Sequence, residues 1–368
     1  MIKLLTVFTI ALLLAYCSQK NILVFNTESG KRIDLPLIIM ILMLSFFCGL
    51  RTHYNDTYIY RKVYENAPTL SKLFSEGIDI FQYPAFYGLQ SFFRHHISEN
   101  ANVFFLFNAF FSISSILLFL RKHSVDFVFS TILFFSLGLY ISHFASMKQC
   151  LAIAILTFAI EALIKKKNWL FLSLVFVAML FHTYAILAIV LLAFTNKPWT
   201  FITYIAIAVI ALFLLTFEST ITGLLSYADD LGKTYTAEGV LEDQGINPFR
   251  LVIFSVPTLI SFLLQEFVQD EYDRKNSIFM NMCILTCLIM CLGIGSSANL
   301  FARTSFYFEV GIIIAFPWFL HQVFDVSTER FVTTLASIGY IAAFIITNIN
   351  FSEEYRAISL IDFIKTVF

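Results

Sequence analysis

The sequence predicts an all-α, polytopic integral membrane protein with about 10–12 transmembrane helices. Three observations carry that prediction. Of 368 residues, 59% are hydrophobic and only 13% are charged, and the mean hydropathy is +0.80, a balance unlike that of soluble globules. Apolar runs follow one another along nearly the whole chain. No soluble domain interrupts them, so residues 1–368 read as a single polytopic membrane domain.

In order, the first run begins after Lys3 and reaches Tyr16 and Cys17. LAYC approximates a lipoprotein cleavage box, but Tyr16 is bulky where a small residue is wanted, so residues 2–18 read as a retained helix. Further runs fall at 34–50, 101–120, 124–143, 149–164, 169–195, 200–217, 250–268, 277–295, 303–320 and 330–348. Several are shorter than about 20 residues and must tilt, thin the bilayer or extend into the interface. Between the second and third lies the loop 51–100, in which Ile80 to Phe93, with Pro84 and Gly88, reads as an interfacial or re-entrant helix.

Basic residues in short loops set the orientation. Lys31-Arg32, Arg121-Lys122, Lys165-Lys166-Lys167 and Arg274-Lys275 are all expected in the cytoplasm, with the N-terminus outside. The last cluster agrees only if 169–195 crosses an even number of times. That run is long for one helix and short for two, and His182 in LFHTYA lies near its midpoint. It therefore reads as a re-entrant or bent helical hairpin. The loop 51–100, the turn at Lys148, the loop 218–249 and the helix start at Arg303 then share the outer face. The loop 218–249 is acidic, with Glu218, Asp229, Asp230, Glu238, Glu242 and Asp243 against Lys233. It reads as a solvated loop or the cover of a sugar-binding groove.

A net charge of -1 gives no basic surface for nucleic acid. Cys283, Cys287 and Cys291 recur every four residues within an apolar run, which makes them small packing residues along one helix face, not metal ligands. No nucleotide-phosphate loop, zinc box or Ser-His-Asp elbow is present. Arg51, Lys148, Arg250 and Arg303 each stand at the outer end of an expected helix. Each alone reads equally as a snorkelling anchor; together they suit an anion shared between helices, lipid-linked pyrophosphate first of all. His182, at mid-span, is either a helix-to-helix hydrogen-bonding group or a proton carrier, with Tyr184 placed to orient it. Asp56 is either a turn residue after Asn55 or a general base toward a sugar hydroxyl. Glu161 pairs with Lys165 one helical turn on.

Taken together, the motifs resemble the EpsG-type, or Wzy-like, polysaccharide polymerases of bacteria. GLRTHYNDTYIY resembles that family's first outer-loop pattern, and SMKQCLAIAI its Arg-Gln helix start, with Lys148 where Arg is usual and Gln149 in support. LFHTYA resembles its Phe-His segment. NPFRLVIFSVP and LFARTSFYFEVGIIIAFP, the latter containing Tyr307, resemble its two late Arg-bearing helix starts. The resemblance spans about 45–320, in order. QYPAFY departs from the pattern, with Gln82 where an acid is expected.

The resemblance implies a multi-pass enzyme of the bacterial cytoplasmic membrane. Its substrate would be undecaprenyl-pyrophosphate-linked oligosaccharide, polymerised for capsule, exopolysaccharide or O-antigen. Arg51, Lys148, Arg250 and Arg303 would hold the leaving pyrophosphate, and His182 or Asp56 would serve as base. No metal or cofactor is required if the cations neutralise the charge. A chain-length regulator and a flippase are the implied partners. A polyprenyl-phosphate-sugar glycosyltransferase, a lipid-linked oligosaccharide flippase and a membrane O-acyltransferase are the competing readings.

Overall fold

A computed structural model describes the chain except residues 27–29, 31, 76, 78, 80–81, 216–245, 295–297 and 368. The acidic residues of the 218–249 loop lie outside the described residues. The helices are α1 (Ile2–Gln19), α2 (Leu35–Gly49), α3 (Thr57–Glu65), α4 (Leu70–Ser75), α5 (Pro84–His96), α6 (Ala101–His123), α7 (Phe127–Ser136), α8 (Leu139–Ala145), α9 (Met147–Ile164) and α10 (Asn168–Phe181). They continue with α11 (Phe201–Leu215), α12 (Pro248–Leu263), α13 (Arg274–Leu292), α14 (Ala298–Ser305), α15 (Glu309–Val323), α16 (Val326–Thr347), α17 (Phe351–Glu354) and α18 (Leu360–Val367). Two short antiparallel strand pairings accompany them: β1 (Val24–Asn26) with β2 (Arg32–Asp34), and β3 (Arg51–His53) with the distant β4 (Arg356–Ala357).

The protein is therefore an all-α, multi-pass membrane protein. Among the described residues, α1, α6, α9, α13 and α16 are long and apolar enough to cross a bilayer, and seven spans result if each of two bent pairs counts as one. Shorter apolar helices, including α2, α10, α11 and α15, accompany them. The bent pairs correct two runs that the sequence presents as continuous. The run 124–143 breaks between α7 and α8 with a 43° bend, where Gly138 takes φ +91, a conformation that L side chains rarely adopt. The run 250–268 ends at Leu263 and turns by 79° into a 3-10 segment, Gln265–Glu271. The run 169–195 is interrupted where the sequence placed the interruption. Helix α10 stops at Phe181, His182 is extended (φ −153, ψ 116), and a 3-10 segment follows over Thr183–Leu192.

The described chain divides into two compact units, Met1–Ile189 with Phe331–Phe368, and Val190–Arg330. In the first, α2 lies against α6 and α9 against both α6 and α10. A Cβ at Gly49 would sit 2.5 Å from the Leu106 Cα, so only glycine lets these two backbones approach so closely. Gly49→Val is expected to destabilise the unit by about 1–3 kcal/mol through overpacking, read as a fall in membrane-fraction abundance; normal abundance and thermal stability would show that α2 can shift freely. The C-terminal segment, unassigned by sequence, returns to the same place: Tyr355 Oη donates to the Phe47 carbonyl at 2.6 Å and the Ile358 amide to Leu50 at 3.1 Å. Near the other end of α6, Glu161 gathers Lys165 at 3.0 Å, as expected, and also Lys122 and His123.

In the second unit α13 packs on α15, where Gly311 leaves no room for a Cβ against Met282. Cys283 and Cys287 are buried where α13 meets α12, with the Thr258 hydroxyl 3.2 Å from the Cys283 carbonyl and the Cys287 thiol 3.3 Å from Ser255 Oγ. That is the packing role read from their spacing.

Candidate functional site

The loop between α2 and α6 is a built structure. Two of its helices, α3 and α5, rest on a buried aromatic cluster that includes Tyr64, Phe86, Phe93, Phe104, Phe105 and, from α9, Met147 and Leu151, and α4 packs on α5. Burial pushes the Tyr64 phenol up to about 12, so it stays a neutral donor to the Ser98 carbonyl. Helix α5 starts at Pro84, whose fixed φ suits the first helical position. The residue before it, Tyr83, is left-handed (φ 58, ψ 48). A bulky side chain pays a conformational penalty there, of about 1–3 kcal/mol. Strain of that size persists only where surrounding contacts over-determine it.

Those contacts are functional-looking. The Lys148 ammonium donates to Tyr87 Oη at 2.7 Å and lies 4.5 Å from the Tyr83 ring centroid, 4.4 Å from Tyr87 and 5.4 Å from Phe86. On another side, Tyr83 stacks on His182 with centroids 5.4 Å apart and an interplanar angle of 27°. Tyr184 lies 5.7 Å from His182. Asp56 and Lys148 line one cleft of about 180 Å³, together with Tyr60, Phe86 and Tyr87. The structure thus brings two sequence-chosen residues, Asp56 and Lys148, to one cleft, and sets a third, His182, against Tyr83 beside the Lys148 ammonium. The aromatic residues that join them, Tyr83 and Tyr87, carried a signal only as part of QYPAFY.

Asp56 holds the N-cap position of α3 but makes no capping hydrogen bond with its side chain. An Asp at that position ordinarily accepts from the first turn. Asn55, at φ 42, supplies the turn expected before it. Lys148 stands in the first turn of α9, whose N-cap, Ser146, also makes no side-chain cap. A cation beside a helix N-terminus opposes the helix dipole, and an anion placed there satisfies both.

Arg51 is buried, with 1% of its surface exposed. It donates from Nη1 to the Cys48 carbonyl at 2.9 Å and from Nε to Thr57 Oγ1 at 3.2 Å, and lies over Phe105 at 4.9 Å. Its Nη2 is buried without a hydrogen-bond partner. Arg61 approaches the other side of this knot. It donates to Asn102 Oδ1 at 2.8 Å, and the Asn102 amide donates to the carbonyls of Arg51 and Gly49. The knot fixes α3, and hence Asp56, to α6. Gln149 is buried beside Lys148 in sequence.

Arg250 and Arg303 belong to the second unit. Arg250 opens α12 and lies 5.6 Å from the ring centroids of Phe254 and Phe306. Arg303, expected at a helix start, stands instead exposed near the end of α14, one short break before α15 begins at Glu309, and Tyr307 is buried. Glu309, at the start of α15, is fully buried and neither carboxyl oxygen has a hydrogen-bond partner; sequence reading gave it no role. Among the described residues, no group of three or more His, Cys, Asp or Glu is placed to hold a metal ion.

His182 stacks on the Tyr83 ring, whose other neighbour is the Lys148 ammonium. His182→Phe, which keeps a ring for the stack, is expected to leave thermal stability in detergent near wild type, while His182→Ala lowers it by about 0.5–1.5 kcal/mol, the contribution of an aromatic pair. Equal loss in both would mean that the imidazole's hydrogen bonding, not its ring, is what holds it in place.

The fold and this cleft define a multi-pass membrane protein with a cationic, aromatic-walled site beside the N-terminus of a membrane-crossing helix. The EpsG family model matches residues 34–361, so the chain belongs to the EpsG family and is a membrane protein of polysaccharide biosynthesis. The match extends past the recognisable motifs to take in β4, which pairs with the strand carrying Arg51. No curated protein and no solved structure matches the chain.

Proposed function

We propose that this protein polymerises undecaprenyl-pyrophosphate-linked oligosaccharide repeat units by glycosyl transfer at the outer face of the bacterial cytoplasmic membrane. The observation that carries this reading is the shared cleft of Asp56 and Lys148. A carboxylate without a capping bond and an ammonium at a helix N-terminus supply the two things the reaction needs. The acceptor sugar hydroxyl on one lipid-linked repeat gives its proton to Asp56 and attacks the anomeric carbon of the growing chain. The bond from that carbon to the pyrophosphate oxygen breaks, and the leaving lipid pyrophosphate passes to Lys148 and the amides of the first turn of α9. Arg250 and Arg303 are proposed as phosphate-binding cations of the second unit, and Arg51 as the residue that holds the loop presenting Asp56. A chain-length regulator and a flippase are the proposed partners.

The test is reconstitution of the full chain in liposomes with lipid-linked repeat units extracted from a strain lacking it. A ladder of products longer than one repeat, with release of undecaprenyl pyrophosphate, is expected. Movement of the repeat across the bilayer without elongation would replace this reading with a flippase.

A further inference from the structure

Two larger clefts adjoin the Asp56–Lys148 cleft around one side chain, Tyr87, which lines all three. Each has a volume of about 510 Å³, and Leu73 of α4 lines both. Either one falls within the range of about 300–1,000 Å³ typical of organic-ligand sites. Their walls carry the groups that recognise hydroxylated rings. Asn66, Lys62 and Gln90 face one cleft, and Asp79 and Gln82 the other, while Tyr87 offers an apolar face and a polar edge. Gln82 Nε2 donates to Asp79 Oδ2 at 3.0 Å, an amide–carboxylate pair exposed along the rim. Gln90 is 1% exposed, lines its cleft, and its Nε2 donor has no partner. A buried amide donor left unpaired is destabilising, and a ligand oxygen seated on the cleft floor would relieve it.

We infer that α3, α4 and α5 form a glycan groove that binds the sugars of the lipid-linked repeat unit on the far side of Tyr87 from Lys148. This rests on the polymerase reading for its substrate and extends it to a specificity site. The arrangement divides recognition between phosphate at Lys148 and hydroxyl or N-acetyl oxygens at Gln90, Asn66, Asp79 and Gln82. The departure at Gln82 then has a role, because an amide donates and accepts where a carboxylate only accepts.

The test measures binding of two probes to the full detergent-purified chain: the lipid-linked repeat-unit fraction from a deletion strain, and sugar-free undecaprenyl pyrophosphate. Wild type is expected to hold the repeat-bearing lipid about tenfold more tightly than the bare one. Leu73→Trp, at a half-buried position whose larger ring would intrude on the wall shared by both clefts, is expected to erase that preference. Gln90→Met, which keeps length and removes the donor, should reduce it roughly threefold or more. Neither should change affinity for the bare lipid. Equal binding of both probes by wild type, or an unchanged preference in Leu73→Trp, overturns the groove. A sugar preference that depends on Leu73 in a protein unable to elongate the repeat would keep the groove and defeat the polymerase reading instead.

Discussion

Lys148→Met is expected to abolish the polymer ladder at normal membrane-fraction abundance. The substitution keeps the length and apolar stem of the side chain, while the ammonium's contacts with the Tyr83, Phe86 and Tyr87 rings go with the charge. What it removes is the ammonium at the head of α9. If that charge receives the leaving pyrophosphate, its loss should lower turnover by roughly 10²–10³-fold, the usual effect of deleting one preorganised group facing developing charge. Lys148→Arg should restore part of the activity, because guanidinium supplies charge and pairs well with phosphate, though in a cage shaped for an ammonium. A full ladder from Lys148→Met would mean that Lys148 only anchors α5 to α9 through Tyr87, and the anion would have to be sought at Arg250 and Arg303.

Asp56→Asn should reduce polymerisation by roughly 10²–10⁴-fold, the range for loss of a general base, with little change in abundance. Abundance is predicted to hold because Asn is as good an N-cap as Asp, and because Asp56 makes no side-chain cap in the first place. Asp56→Glu should recover little, since an added methylene moves the carboxylate within a cleft of about 180 Å³. The decisive measurement is single-turnover elongation of purified lipid-linked repeats, compared with binding of the same substrate. Retained binding with lost elongation supports the base. Elongation at the wild-type rate in Asp56→Asn would leave Asp56 as the turn residue its neighbour Asn55 suggests.

Much of this protein was legible in one dimension. Membrane spans announce themselves because the bilayer demands long apolar runs whatever the fold, and composition alone excludes a soluble globule. The interruption at His182 was also legible, since a polar residue at the middle of an over-long run needs an explanation. Glu161 with Lys165 followed from the helical period. Local rules are sufficient in each of these cases, because the interaction lies within one element.

What the tertiary structure decided depends on contacts between distant segments. Arg51 and Lys148 look alike in sequence, each a cation at the end of an apolar run, yet Arg51 is buried against Cys48, Thr57 and Phe105 while Lys148 lines a cleft. Hydrophobicity cannot separate them; only the packing of α6 and α5 does. Asp56 and Lys148 are far apart along the chain, and Tyr83 reaches both Lys148 and His182 because a strained backbone and Pro84 turn its ring there. The strand at Arg356–Ala357 is too short to carry a pattern of its own and exists through its pairing with Arg51–His53. The sequence by itself determined the solvent this chain folds in and which residue types carry charge into it. Which of those charges meet a ligand, and which hold the fold together, was set by side chains brought together from separate helices.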